Sequence, residues 1–126
     1  MIYAPKRNEI YSAVEGCGAY CNNIEIRPSL ECNLNHSLVG ADGGKETPLF
    51  NRERLGDYMK RLFSRDGIVE VLKTGCASVP LCLVASGKMH GYFALSLEPW
   101  DMAAAVIINR EAGCKVTTVK GKEWEL

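Results

Sequence analysis

Charge of one sign is missing from this sequence as a feature. Fifteen lysines and arginines are cancelled by fifteen aspartates and glutamates, and no long block of either stands out. That balance argues against a nucleic-acid surface and against a polybasic patch for an anionic membrane. Long apolar runs are missing too, since none approaches the roughly 20 residues a membrane-spanning helix needs. The opening Met1-Ile2-Tyr3-Ala4-Pro5-Lys6 lacks the charged-then-apolar build of a secretory signal. The expectation is a soluble, cytoplasmic protein with no nucleic-acid and no membrane partner. At 126 residues, 47% of them hydrophobic, there is material for one domain with a real core.

Cysteine is well represented, at positions 17, 21, 32, 76, 82 and 114. Cys76 and Cys82 share one apolar segment, and Cys114 opens a predicted strand. Such thiols behave as small buried hydrophobes in a reducing compartment. The competing reading is a zinc site from Cys17, Cys21, Cys32 and His36, with Cys17 and Cys21 on one face of a strand. Their C-x3-C-x10-C-x3-H spacing approaches that of metal ligands but lacks the usual two-residue knuckle. Reduced, metal-free cysteines are the expectation; a zinc-binding interaction module is the alternative.

Residues 1–35 read as two hairpins. Ile2-Tyr3-Ala4 and Ile10-Tyr11-Ser12-Ala13-Val14 are β-prone runs around a polar connection. Gly16 to Tyr20 and Ile24-Glu25-Ile26 flank Asn22-Asn23, a pair that accepts left-handed backbone. Pro28 to Asn35 is irregular and polar. No helix in this stretch is available to cover the small sheet, and uncovered small sheets are rarely stable.

From Ser37 the rhythm changes. Ser37 to Ala41 is a short apolar strand ended by Asp42-Gly43-Gly44. Thr47-Pro48 predicts a helix start, and Leu55, Tyr58, Met59 and Leu62 follow the spacing of one buried stripe. Ser64-Arg65-Asp66-Gly67 breaks that helix before the strand Ile68 to Leu72. A second helix is predicted to open over Thr74 to Pro80 and to run, apolar nearly all round, through Ala85; such a helix is packed on every side. Gly75 and Ala77 at its start suit either close backbone approach to a ligand or close helix–sheet packing. Cys76, at that start, is expected to be the most readily alkylated thiol. Gly91 to Leu97 is the next strand.

The stretch Leu97-Glu98-Pro99-Trp100-Asp101-Met102-Ala103-Ala104-Ala105 then carries that strand into a last helix ending at Gly113. Pro99 suits the first helical position, where its missing N–H costs nothing. Asp101 falls in the first turn, where free N–H groups and the helix dipole favour a carboxylate. Locally that alone accounts for it. Cys114 to Val119 completes the pattern as a final strand. The order β-α-β-α-β-α-β implies an open, mostly parallel α/β sheet with helices on both faces, preceded by small antiparallel hairpins. Right-handed crossovers would then bring Asp101 and the Gly75-Cys76 amides to one sheet edge, where ligands collect.

These residues carry a resemblance. Pro99-Trp100-Asp101-Met102-Ala103-Ala104 with Glu111-Ala112-Gly113 resembles the C-terminal signature of the inositol monophosphatase family. Ile2 to Pro5 with Glu9 to Ala13 is similar to the family hairpin, and Glu15 to Asn22 to its glycine-rich turn. Gly75-Cys76-Ala77 stands where the family has Gly-Thr-Ala, and Tyr92-Phe93 precede the signature at the family's distance. Bisphosphate nucleotidases and fructose bisphosphatases share the superfamily.

The resemblance implies a Mg²⁺-dependent phosphomonoesterase. It makes Asp101 a metal ligand and Gly75, Cys76 and Ala77 substrate contacts, with Cys76 replacing the usual threonine. Its substrates would be an inositol phosphate, a sugar phosphate or a nucleotide bisphosphate. Ala94 replaces the glutamate of inositol-selective members. The family's other metal ligands come from a Gly-Glu-Glu segment and an Asp-Pro-Ile/Leu-Asp-Gly-Thr motif, and neither occurs here. The expectation is therefore an internal segment of a phosphatase, truncated at both ends. Residues 1–35 would belong to the family's larger antiparallel sheet, and residues 36–126 would form its C-terminal α/β domain. Alone, this segment would be inactive, and a homodimer stays open. A non-catalytic remnant is the competing reading.

Overall fold

The computed structural model describes residues 1–31, 33–42, 49–62, 70–72 and 74–125. The chain opens with a four-stranded antiparallel sheet, β1 (Ile2–Ala4), β2 (Glu9–Ala13), β3 (Ala19–Cys21) and β4 (Ile24–Glu25), in that spatial order. The turn between β3 and β4 uses Asn22 and Asn23, both at positive φ (49° and 65°). That is the backbone twist a tight hairpin needs, and asparagine tolerates it better than most residues. Asn22 also joins the two hairpins: its Oδ1 accepts from Ile10 N–H at 2.8 Å and its Nδ2 donates to the Asn8 carbonyl at 2.9 Å.

The second sheet is parallel, with β5 (Leu38–Asp42) between β6 (Glu70–Leu72) and β7 (Gly91–Ala94). Helix α1 (Leu49–Leu62) leads from β5 to β6, and α2 (Ser78–Ala85) leads from β6 across to β7. Because the two connections end on opposite sides of β5, right-handed crossovers put α1 and α2 on opposite faces. Side chains agree. Tyr58 of α1 meets Phe93 edge-on at 6.4 Å, whereas Met89, just after α2, lies against the other face at Gly40. The helix start expected at Thr47-Pro48, the break at Ser64–Gly67 and the first residues of the strand from Ile68 lie outside the described residues.

Two expectations need correction here. The second helix begins at Ser78, not at Thr74, because Gly75 takes φ +71° and Thr74 turns back to donate its hydroxyl to the Cys76 carbonyl at 2.8 Å. Cys114 to Val119 does not extend the parallel sheet; it makes a single antiparallel bridge, Thr117 to Glu123. Its backbone groups are satisfied within its own turn, Thr118 N–H to the Lys122 carbonyl and Gly121 N–H to the Thr118 carbonyl. A segment bonded to itself leaves little for a ladder.

The hairpin sheet, read from sequence as uncovered, has a cover. Helix α2 and helix α3 (Pro99–Ala112) pack on each other and lie over its inner face. Tyr11 and Ala19 from the sheet, Cys82 and Ala85 from α2, and Ile108 and Ala112 from α3 form one buried cluster. Helix α2 also packs against β7, so both of its sides meet a sheet, which is why it is apolar all round. Polar stitching holds the two helices together: Asn109, 2% exposed, donates to the Leu81 carbonyl at 2.9 Å and to the Ala105 carbonyl at 2.8 Å. Among the described residues no helix is long and apolar enough to cross a membrane.

A charged network ties the layers at one end. The Glu9 carboxylate accepts from Arg7 Nε at 2.7 Å, Lys88 Nζ at 2.7 Å and Tyr11 O–H at 2.8 Å. The Arg7 bond first, then the Lys88 bond, holds Glu9 down to about 2, from an ordinary value of 4.5. A carboxyl lowered by folding stabilises above its unfolded value and loses that stabilisation as pH falls through the folded one. The window is thus about pH 4.5 down to 2. Urea midpoints measured down to pH 3 should fall in the wild type and fall less steeply in Glu9→Gln. Equal slopes would remove Glu9 from the acid response.

Candidate functional site

The first turn of α3 is built from the inside of the chain outward. Pro99 takes the first helical position, Glu98 flanks it in extended backbone, and Gly113 closes the far end at φ 96°. Asp101 accepts from Glu98 N–H at 3.3 Å, a long bond, while its own N–H donates to the Glu98 carbonyl at 2.9 Å. So the helix-start role read from local sequence is one that Asp101 does perform. Its side chain is exposed, as is Trp100 beside it (78%).

The turn Gly75-Cys76-Ala77 comes to the same edge. Ser78, directly after it, donates its hydroxyl to the Asp101 carbonyl at 3.0 Å, linking the start of α2 to the first turn of α3. Cys76 is exposed, Ala77 is buried, and a Cβ on Gly75 would meet nothing within 4 Å. Asp42 and Ala94 pair at the carboxyl ends of β5 and β7, and Leu95 N–H donates to the Asp42 carbonyl at 3.2 Å. Carboxyl ends of parallel strands are where such folds place ligands.

Sequence reasoning passed over Tyr92. Burial pushes its hydroxyl well above the ordinary tyrosine value, and Asp42, Cys76 and Asp101 push it in the same direction. That oxygen is buried without a hydrogen-bond partner among the described residues, an arrangement that costs about 1–3 kcal/mol in a free protein. The available signal was slight: a tyrosine in a parallel strand, next to a phenylalanine that needs no partner.

Glu111, in the signature but given no role from sequence, has a structural one. Its carboxylate accepts from Gly16 N–H at 3.0 Å and Gly18 N–H at 2.9 Å, and these bonds hold it below the usual carboxylate range. Positive φ at Gly16 (73°) and Gly18 (79°) turns those N–H groups toward one acceptor. The glycine-rich turn is therefore clamped to α3.

The four residues of the zinc alternative are dispersed in role. Cys17 sits in that clamped turn before β3, not on a strand face with Cys21. Cys21 packs against the buried core, and His36 Nδ1 faces Glu31 Oε2 at 3.4 Å. Cys32 lies outside the described residues, and among those described no three His, Cys, Asp or Glu side chains are grouped to hold a metal. The thiols differ sharply in access. Burial pushes Cys82 up to about 12 and Cys114 to about 11, while Cys17 and Cys76 are exposed. Iodoacetamide at pH 8 should label Cys76 and Cys17 first and Cys82 only after denaturation. Early labelling of Cys82 would contradict its place in the core.

For Mg²⁺, the donors at this edge are of the right kind, since the ion takes hard oxygen ligands. Asp101 and Asp42 are carboxylates at this end of the fold, and the Tyr92 hydroxyl is buried without a partner among the described residues. Two carboxylates do not make such a shell, and the described residues group no third acidic or imidazole side chain with them. A hollow of about 890 Å³ runs along β7, walled by Tyr92, Ala94, Leu97, Met102, Val116 and Trp124. None of Gly75, Cys76, Ala77 or Asp101 lines it.

Fold and edge together define an α/β protein with a polar site at the carboxyl ends of a parallel sheet. The chain belongs to the inositol monophosphatase family, whose profile it matches over residues 1–126. It is 36% identical over 121 residues to the Nus factor SuhB of Vibrio cholerae, covering 95% of this chain and 44% of that protein. It is 31% identical over 122 residues to the inositol-1-monophosphatase of Rhizobium meliloti, covering 96% and 44%. Among solved structures, the Thermotoga maritima IMPase superposes with a TM-score of 0.83 at 30% identity, over 97% of this chain and 44% of that one. The chain thus spans a little under half the length of these relatives.

Proposed function

We propose that this chain supplies the C-terminal half of a Mg²⁺-dependent phosphomonoesterase working in the cytoplasm. In this reading residues 1–35 form part of a larger antiparallel sheet and residues 36–126 are the C-terminal α/β domain. Asp101 is one carboxylate of the cation site, and Gly75, Cys76 and Ala77 are the turn that meets the substrate. The observation that carries it is the Ser78–Asp101 hydrogen bond, which sets that turn against Asp101 in a chain of this family. Bound Mg²⁺ supplies activation of a water and stabilisation of the leaving oxygen. The residues of this chain bind and orient. Backbone N–H groups of the turn would bind the substrate, and Asp101 has an exposed carboxylate at a helix start.

Selectivity for a polyol should be weak. Cys76 offers a thiol, a poorer donor than a hydroxyl, and Ala94 offers no side-chain acceptor at the strand end. A sugar phosphate or nucleotide bisphosphate is accommodated as readily as an inositol phosphate. The test is a chimera in which this chain replaces the matching half of the Thermotoga maritima enzyme. Mg²⁺-dependent phosphate release from all three substrate classes is expected. A folded chimera that releases none overturns the reading.

The similarity to proteins named Nus factor SuhB favours a second reading, in which the chain serves in that role and not as a hydrolase. A folded, inactive chimera is the outcome that would support it.

A further inference from the structure

His90 joins the entry of β7 to the start of β5 twice. Its backbone N–H donates to the Leu38 carbonyl at 2.9 Å, and its imidazole Nδ1 accepts from the Leu38 N–H at 2.9 Å. In the second bond a side chain takes the place that a main-chain carbonyl fills in a parallel ladder. The local chain explains why. Lys88 and Met89 both turn back to donate to the Leu83 carbonyl, at 2.9 and 3.2 Å, so they belong to the close of α2 and not to the strand. His90 is the first residue in line with the sheet, one before the Gly91–Val39 pair, and its ring also lines the hollow along β7.

The chemistry of this bond is one-sided. An imidazole nitrogen that accepts from an N–H carries no proton, so the neutral ring has its hydrogen on Nε2. Imidazolium carries a hydrogen on both nitrogens. Protonation would set Nδ1–H against the Leu38 N–H, two donors without an acceptor at a half-buried residue. Around the ring stand Lys88 on its own turn, bonded to Glu9 at 2.7 Å, and Cys114 and Lys115 across the hollow. On the sheet, Glu70 of β6 pairs with Leu38, and His36, facing Glu31 at 3.4 Å, precedes β5. Arg27, whose carbonyl lies close to Gly87, is bonded to Glu25 at 2.9 Å. The bond itself fixes the sense of the response, since only the unprotonated Nδ1 can make it.

We propose that His90 is an acid-sensitive clasp between β5 and β7, closed while Nδ1 is unprotonated and released when the ring takes up a proton. Histidine is the side chain that ordinarily changes charge between pH 5 and 8. The clasp is closed toward the alkaline end of that range and lost toward the acid end. The backbone bond from His90 N–H to Leu38 stays, so β7 loosens at its entry without leaving the sheet. That entry walls the hollow, and the strand behind it runs on to the helix start at Asp101.

The test is amide hydrogen exchange of this chain at about pH 7.5 and pH 5, the two sides of the histidine range, with each rate divided by that of an unstructured chain at the same pH. Ile10 N–H is the internal reference, because it donates at 2.8 Å to Asn22 Oδ1, an acceptor that does not titrate. Protection of Leu38 relative to Ile10 should fall about 2–10-fold between the two conditions, the worth of one net hydrogen bond. His90→Asn offers an acceptor that takes up no proton, so its ratio, high or low, should not change with pH. An unchanged ratio in wild type overturns the proposal. So does an equal fall in His90→Asn, which would put the response on His36, the one other histidine of the sequence, or on a carboxylate. Ring ¹⁵N shifts of the wild type test it without a variant: Nε2 should carry the hydrogen at the alkaline end. A ring protonated on Nδ1 there would overturn it as well.

Discussion

Incubated with Mg²⁺ and an inositol monophosphate, a nucleotide bisphosphate or an aryl phosphate, the 126-residue chain alone is expected to release no phosphate above background. In the chimera with the Thermotoga maritima half, turnover should appear, and Asp101→Asn should remove at least about 10²–10³-fold of it. The reasoning is electrostatic. Hydrolysis needs metal ions that make the attacking water nucleophilic at neutral pH and neutralise phosphate charge as it develops. Mg²⁺ gives up its waters reluctantly and is retained by several oxygens in octahedral array. In the proposed reading Asp101 supplies one of those oxygens, and the described residues hold no cluster of three acidic, cysteine or histidine side chains. Asparagine keeps the shape of Asp101 and its acceptor for Glu98 N–H, so the helix start survives while the charge goes. The chimera therefore separates ligation from folding. Robust Mg²⁺-dependent turnover by the isolated chain, abolished by Asp101→Asn, would mean that the remaining ligands are present in this sequence after all.

What could be read from sequence was local. The Asn22-Asn23 turn, the Pro99 start and the Gly113 stop are decided by the backbone preferences of those residues, and each lies where those preferences predict. The turn at Gly75 misled because glycine followed by small residues suits either a helix start or a left-handed turn. A hydrogen bond from Thr74 chooses the second. Cys114 to Val119 alternates as a strand should, but alternation cannot say whether a ladder or a local turn takes its backbone groups. Layering was not legible at all. That α2 and α3 cover the hairpin sheet depends on Tyr11 and Ala19 meeting Cys82 and Ile108, partners far apart in sequence. The Glu111 clamp spans a similar separation, so nothing near Gly16 announces it. The signature directed attention to Asp101, whereas the buried, unpartnered Tyr92 hydroxyl became visible only in the folded chain.

Asn109→Asp should be the most damaging single-atom exchange in the helical layer, costing on the order of 3–5 kcal/mol at neutral pH. Asn109 is 2% exposed and uses its amide nitrogen to reach two carbonyls, Leu81 on α2 and Ala105 on its own helix. Aspartate has nearly the same shape but, ionised, only accepts, so it would face two carbonyl oxygens with a buried charge and no donor. Folding would then raise the carboxyl above its unfolded value, since burial and the two carbonyls both disfavour the charge. A carboxyl raised by folding costs stability above its unfolded value, and the cost fades as pH falls from the folded value to the unfolded one. Protonation restores one O–H donor, so the variant should recover part of its loss as pH falls from neutral, with the recovery complete by about pH 4. Asn109→Leu is the control. It removes donor and charge together, should cost about 1–3 kcal/mol for the two side-chain hydrogen bonds lost, and should show no such recovery. Urea denaturation of the three proteins between pH 4 and pH 7.5 reads both quantities. An Asn109→Asp chain as stable as wild type at neutral pH would mean that water or a cation reaches position 109, and that the packing of α2 on α3 is looser than these two hydrogen bonds require.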